Sequence, residues 1–245
     1  PIIDCNVHLW DTNRPEGISW PRPEHKKIYR PYLPEHIVPI ATANNVKGIV
    51  AMQSGQAIAD NQWNLDIIKK DPLFKGVMGN LSKVIGTDEF KPLLNELCKN
   101  KQYLGYRLSG KYQDGLSAAL FRDLQLTAEK SLAVDFLVGG YSFKDIATIA
   151  KKVPKLRILL DHLGGVSLDG KPLNEDWVKE FKAMGEYENI HCKVSALFGR
   201  FKQQPASKEL KDYKEILDLA YETFGQDRLV YSSDWPVTER TGDYT

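Results

Sequence analysis

The chain has 245 residues, about the size of one barrel domain or two small ones. With 42% hydrophobic and 27% charged residues it has the composition of a globular chain that can bury a sizeable core. Its 33 basic and 32 acidic residues leave a net charge of +1, so charge gives no reason to expect a nucleic-acid or membrane partner. No apolar run approaches the roughly 18 residues needed to span a bilayer. Cys5, Cys98 and Cys192 are odd in number and widely spaced, which suits free thiols better than a disulfide framework or a zinc cluster. A start at Pro1 predicts that something upstream was removed, an initiator Met or a targeting segment. A cytoplasmic location is the expectation, with export left open.

Short apolar strands alternate with longer helical stretches. The predicted strands are Ile2–His8, Val46–Gln53, Phe74–Gly79, Leu104–Leu108, Ala133–Val138, Arg157–Asp161, Ile190–Ser195 and Arg228–Ser232. Between them Ala59–Lys70, Phe90–Asn100, Ser117–Lys130, Phe143–Lys152, Glu175–Tyr187 and Ser207–Phe224 carry apolar residues at helical spacing. From the second strand onward, one strand, one helix and two loops fill each interval. The segment Thr12–Pro34 breaks the rhythm, with many Pro, Arg and aromatic residues. It is either a surface loop tied down by its own aromatics or a wall of a substrate pocket. This pattern predicts one α/β domain over 1–245, a (β/α)8 TIM barrel whose eighth helix is missing beyond Thr245. Part of the outer surface of the first and last strands would then be bare and apolar.

Strand alternation places Asp4, Asn6 and His8 on one face, expected to point into the barrel, and Ile3, Cys5 and Val7 on the other. Arg107, His162 and Asp234 fall at other strand ends. A closed barrel brings those ends to one mouth, where barrel enzymes place their catalysts. Singly, each has a plainer reading: a structural histidine, a paired arginine, a turn-capping aspartate. Two His, one Asp and one Arg at strand ends, with His25, His36 and His191 elsewhere, favour a shared site.

The segments Ile3-Asp4-Cys5-Asn6-Val7-His8-Leu9-Trp10-Asp11, Leu160-Asp161-His162-Leu163-Gly164 and Ser233-Asp234-Trp235-Pro236-Val237 resemble the amidohydrolase-related barrel proteins, in the branch of sugar-lactone and dicarboxylate-lactone hydrolases. The likeness spans the chain, and Gly105-Tyr106-Arg107 matches the Gly-x-Arg that the branch carries on strand four. The resemblance implies that His8 is the second histidine of a His-x-His motif whose first is replaced by Asn6. It also implies that His162 is the strand-six histidine and that Asp234 is the aspartate that activates water. Arg107 stands where a metal-bridging lysine would sit, and Val138-Gly139-Gly140 where a strand-five histidine would, so a dinuclear centre is not expected.

The expected activity is hydrolysis of a lactone of a sugar acid or small carboxylic acid. Asp234 would act as general base, His8 and His162 would stabilise the oxyanion, and Arg107 would grip a substrate carboxylate or hydroxyls. Asn6, Trp10, Gln53, Tyr141, Lys193, Ser195 and Trp235 are further pocket candidates. Trp10 and Trp235 could equally pack the mouth, and Lys193 and Ser195 could simply bond within the barrel. An amide is a poor zinc ligand, so a metal-free site is favoured; one Zn2+ on His8, His162 and Asp234 is the alternative. A metal-dependent decarboxylase and a non-catalytic barrel that binds a carbohydrate acid are the competing functions.

Overall fold

The structure, a computed structural model, describes residues 1–109, 115–137 and 139–244. Eight parallel strands form one sheet in chain order: β1 Ile2–His8, β2 Val46–Met52, β3 Phe74–Asn80, β4 Tyr103–Leu108, β5 Ala133–Phe136, β6 Arg157–Leu160, β7 Ile190–Val194 and β8 Leu229–Tyr231. The sheet closes just beyond β8. Trp235 O accepts from His8 N at 2.7 Å, Asp234 N donates to Asn6 O at 3.0 Å, and Val7 and Trp235 form a parallel bridge. The expected α/β barrel is therefore present, and the two motifs furthest apart in sequence close it. The predicted end of the fifth strand, Val138, lies outside the described residues.

Helices pack their apolar stripes against the outside of the sheet. Phe143, Ile146, Ile149 and Ala150 of the helix Phe143–Lys152 are buried, and Phe90, Leu94 and Leu97 of Phe90–Leu97 likewise. Ser142 starts its helix with a capping box: its hydroxyl accepts from Asp145 N, and the Asp145 carboxylate accepts from Ser142 N. Two helical stretches differ from expectation. Pro34–Ala43 is a helix despite Pro34 and Pro39; Pro34 sits in its first turn, where a missing N–H costs nothing. The last predicted helix begins only at Lys214, after a 3-10 turn over Leu210–Asp212.

Strand alternation fails in the lower half of the barrel. β1 shifts register between Asp4 and Val7. Cys5 therefore packs against the cluster of Val50, Met52 and Met78, while Asp4 turns toward the end of β8. Asp4 accepts from Ser233 N at 2.9 Å and from Tyr244 Oη at 2.9 Å. The expected inward Asp4 and outward Cys5 are thus exchanged. A related irregularity recurs in Val46-Lys47-Gly48-Ile49, Phe74-Lys75-Gly76-Val77 and Tyr103-Leu104-Gly105-Tyr106. Gly105 has φ +152°, and a Cβ there would lie 2.0 Å from Ala133 O, so only glycine fits. Past the shift β4 alternates: Tyr106 and Leu108 enter the outer core and Arg107 crosses the barrel.

Among the described residues no α-helix follows β8. Ile2, Ile3 and Tyr231 are exposed and line a groove of about 750 Å³ with Val46 and Leu229. The bare apolar strip expected beside the first and last strands is present.

Candidate active site

The mouth is built around Asp234. Its Oδ1 accepts from Asn6 Nδ2 at 2.9 Å and lies 3.2 Å from His8 Nε2 and 3.9 Å from His162 Nε2. His8 Nδ1 is 2.8 Å from Met52 O. A carbonyl oxygen only accepts, so Nδ1 carries a proton, and Nε2 can donate only when the ring is charged. His162 is set differently. Its Nε2 faces Asp161 Oδ2 at 3.2 Å and its Nδ1 lies 2.7 Å from Ser195 Oγ. A carboxylate beside Nε2 selects the Nε2–H tautomer, with Nδ1 accepting from the serine hydroxyl.

His162 (φ 47°), Ala196 (φ 53°) and Asp234 (φ 61°) all hold left-handed backbone, at the ends of β6, β7 and β8 in turn. Each such residue costs on the order of 1–3 kcal/mol unless its surroundings fix it, and such strain gathers at functional sites.

Below the mouth lies a buried ionic layer. Arg107 donates from Nε to Asp135 Oδ2 at 2.6 Å and from Nη2 to Asp161 Oδ2 at 2.5 Å. Lys193 Nζ lies 3.0 Å from Asp135 Oδ1 and 3.6 Å from Asp161 Oδ1. Both contacts are ion pairs without hydrogen-bond alignment, since Nζ has no hydrogen-bond partner. Burial raises the Asp161 carboxyl, but Arg107, His162 and Lys193 outweigh it and hold the group well below the usual carboxylate range. Burial likewise raises Asp234, and the neighbouring His162 and His8 bring it below its ordinary value. The His162 share of that pull exists only while the imidazole is charged. Burial lowers His162 itself, against the pull of Asp161 and Asp234, so the ring is neutral at neutral pH.

The structure thus gathers His8, His162, Asp234 and Asn6 at one point, with Ser195 behind His162. Arg107 grips Asp135 and Asp161 through Nε and Nη2, and Lys193 sits in the same buried layer. Gln53 donates to Gly55 O and Ala57 O and holds a loop. Tyr141 lies outside the cluster, edge-on against Phe136, which points into the outer core. Trp10 and Trp235 are fully buried wall residues, with indole N–H groups on Arg30 O and Glu239 Oε1. The insertion after β1 is tied down by its own aromatics, and one of them comes near His8. Trp10, Tyr32 and Trp235 pack edge-to-face in sequence, and Trp20, edge-on to Trp10, reaches within 6.4 Å of the His8 ring. Asp135 and Asp161 were not foreseen as site residues. Their signal was a carboxylate amid apolar strand residues, Val134-Asp135-Phe136 and Leu160-Asp161.

No group of three or more His, Cys, Asp or Glu among the described residues is arranged to hold a metal ion. Asn6 gives the physical reason. Its Nδ2–H points at Asp234 Oδ1, the oxygen nearest both Nε2 atoms, and an N–H donor cannot ligate. Its Oδ1 is buried and unpartnered; exchanging the two ends would set oxygen against carboxylate. These donors do not fit a resident metal.

A family model described as Amidohydrolase matches residues 3–245. The chain belongs to the amidohydrolase family. This amidohydrolase is 24% identical over 247 residues to the L-fucono-1,5-lactonase of Burkholderia ambifaria, covering 99% of this chain and 82% of the relative. Its fold superposes on that of a Burkholderia multivorans amidohydrolase with bound Zn (TM-score 0.81, 21% identity, 99% and 87% of the two chains). It also matches a putative 2-pyrone-4,6-dicarboxylic acid hydrolase of Pseudomonas putida (TM-score 0.73, 21% identity, 99% and 86%). Among the described residues no helix is long and apolar enough to cross a membrane.

Proposed function

We propose that this amidohydrolase opens a lactone of a sugar acid or related small carboxylic acid by general-base activation of water. The observation that carries the reading is the Asp234 carboxylate, fixed at the mouth beside both histidines. Likeness to sugar lactonases supports the substrate class.

Asn6 donates to Oδ1, which leaves Oδ2 to take a proton as a water oxygen attacks the lactone carbonyl. Collapse of the tetrahedral intermediate breaks the ring C–O bond. Asp234 then returns the proton to the departing alkoxide, giving a hydroxy acid. The neutral His162 donates from Nε2–H to the developing oxyanion; Asp161 and Ser195 fix that tautomer. His8 contributes a donor only when protonated. Arg107 acts at one remove, orienting Asp161.

The decarboxylase reading needs a metal, and the Asn6 amide opposes one. A barrel that only binds an acid has no use for a strained carboxylate base. The test is a screen of aldonolactones with a pH indicator. Turnover is expected, with Asp234→Asn lowering kcat by at least ~100-fold. No turnover above background, or an unchanged rate in Asp234→Asn, overturns the reading.

A further inference from the structure

The net charge of +1 conceals a strong segregation. Each helix returns to the sheet through a short segment at the amino ends of the strands, opposite the mouth. Before β2 to β6 these are residues 43–47, 68–75, 97–103, 129–133 and 151–157. Together they hold eleven basic side chains against Asp71 and Glu129, a local charge of +9, so the rest of the chain sums to −8. Asp66 and Glu96, one helical turn back, pair with Lys69 and Lys99 and bring the figure to +7. All eleven except Lys130 are exposed. The segments before β7 and β8 carry Glu186, Glu188, Asp227 and Arg228, so the positive field is a crescent over five strands rather than a ring. Helix dipoles account for lysines in the last helical turns. They do not account for Lys47, Lys75, Lys101, Lys155 and Arg157, which lie past the helix ends. Gathering like charges costs self-repulsion, which a polyanion would relieve.

The side chains decide the partner. Ten of the eleven are lysines, point charges without the planar fork that reads base edges. Phe74 and Tyr103, the aromatic residues of these segments, are buried and offer no ring for a base to stack on. At the edge of the crescent Ile2 and Ile3 are exposed. Ile3 and Lys75 flank Gly48, where an added Cβ would lie 2.8 Å from one side chain and 2.9 Å from the other. Lysines bordered by exposed aliphatic groups suit an anionic bilayer surface: ammonium groups meet the lipid headgroups while the aliphatic groups enter the interface. We propose that this end of the barrel docks on an anionic phospholipid surface, with the mouth turned away toward water.

Co-sedimentation of the full chain with lipid vesicles tests it. Phosphatidylcholine vesicles with about 30% phosphatidylserine should bind at least ~100-fold more tightly than phosphatidylcholine alone at about 0.1 M salt, and most of that binding should be lost at about 0.5 M. Lys151→Glu/Lys152→Glu/Lys155→Glu should weaken binding at least ~10-fold. Lys202→Glu/Lys208→Glu/Lys211→Glu makes the same change of net charge between β7 and the helix Lys214–Phe224, and should leave most of the binding intact. Equal binding to the two kinds of vesicle, or equal loss in the two triple variants, overturns the proposal. Duplex DNA that displaces the protein from the vesicles at equal anionic charge reassigns the crescent to nucleic acid and overturns it as well. The crescent and Asp234 lie at opposite ends of the barrel, so lactone turnover is expected to be unchanged in the Lys151, Lys152 and Lys155 variant, and either reading can fail without the other.

Discussion

Asn6 is the residue of this mouth whose exchange most directly tests metal binding. Its amide donates to Asp234 where an imidazole would ligate. Asn6→His would put a second imidazole two residues from His8, facing the same carboxylate, and so complete a set of nitrogen and oxygen donors for zinc. That variant is expected to purify with about one zinc per chain and the parent with none; stoichiometric zinc in the parent would refute this. The ionisable residues make a second prediction. His162 resists protonation in the folded state, so its stabilising contribution is complete above about pH 6.5 and falls as pH drops below that value. Asp161 and Asp234 are depressed carboxyls, so their contribution is complete above about pH 4 and is lost only in stronger acid. The melting temperature should therefore decline in two stages on acidification, and His162→Asn should shrink the first stage. An unchanged upper stage in that variant counts against a neutral buried His162. These partners were half legible. Asp234, His8 and His162 sit in strand-end motifs, whereas the pairing of Arg107 with Asp135 and Asp161 joins residues 28 and 54 positions apart, which alternation cannot report.

At the scale of elements, the order of strands and helices was readable because apolar runs and helical stripes differ in period. The faces in the lower barrel were not. A period-2 reading assumes an unbroken ladder, and one shift between Asp4 and Val7 exchanges Asp4 for Cys5. The glycine in each of β2, β3 and β4 was the available clue, since Gly inside a strand marks a bulge or close approach. Gly105 carries most of this constraint. Gly105→Ala would push a methyl into Ala133 O at a φ that L-residues rarely adopt. We expect a loss of about 3 kcal/mol or more in urea unfolding, without loss of parallel pairing elsewhere. Arg107 bridges β4 to β5 and β6 through two buried carboxylates. Arg107→Met would leave both short of a partner, at about 3–5 kcal/mol by the same assay. A change near zero would mean that Lys193 alone neutralises the pair.

The whole molecule is closed by its two ends, and the closure also builds the mouth. Asn6 and Trp235 join β1 to the segment after β8 through the backbone, while their neighbours His8 and Asp234 meet through side chains. Opening the barrel seam would therefore separate His8 from Asp234. Glu239 extends this closure to the insertion over the mouth. Its carboxylate accepts from Trp235 Nε1 at 2.9 Å, Tyr32 Oη at 2.5 Å and Arg30 Nη2 at 3.3 Å. Burial and then Glu239 raise the Tyr32 hydroxyl to about 12, so the phenol stays a donor throughout the working range. One carboxylate thus ties the end of the insertion to the turn that carries Asp234, and through the Tyr32, Trp10 and Trp20 rings it steadies the wall beside His8. Glu239→Ala removes the acceptor from two N–H or O–H groups that are partly buried. The expected result is faster cleavage by trypsin after Lys26 or Lys27, with the barrel melting within a few degrees of the parent. KM should rise more than kcat falls, because the insertion shapes the wall and the base remains in place. Cleavage at the parental rate would show that the aromatic stack holds the insertion unaided.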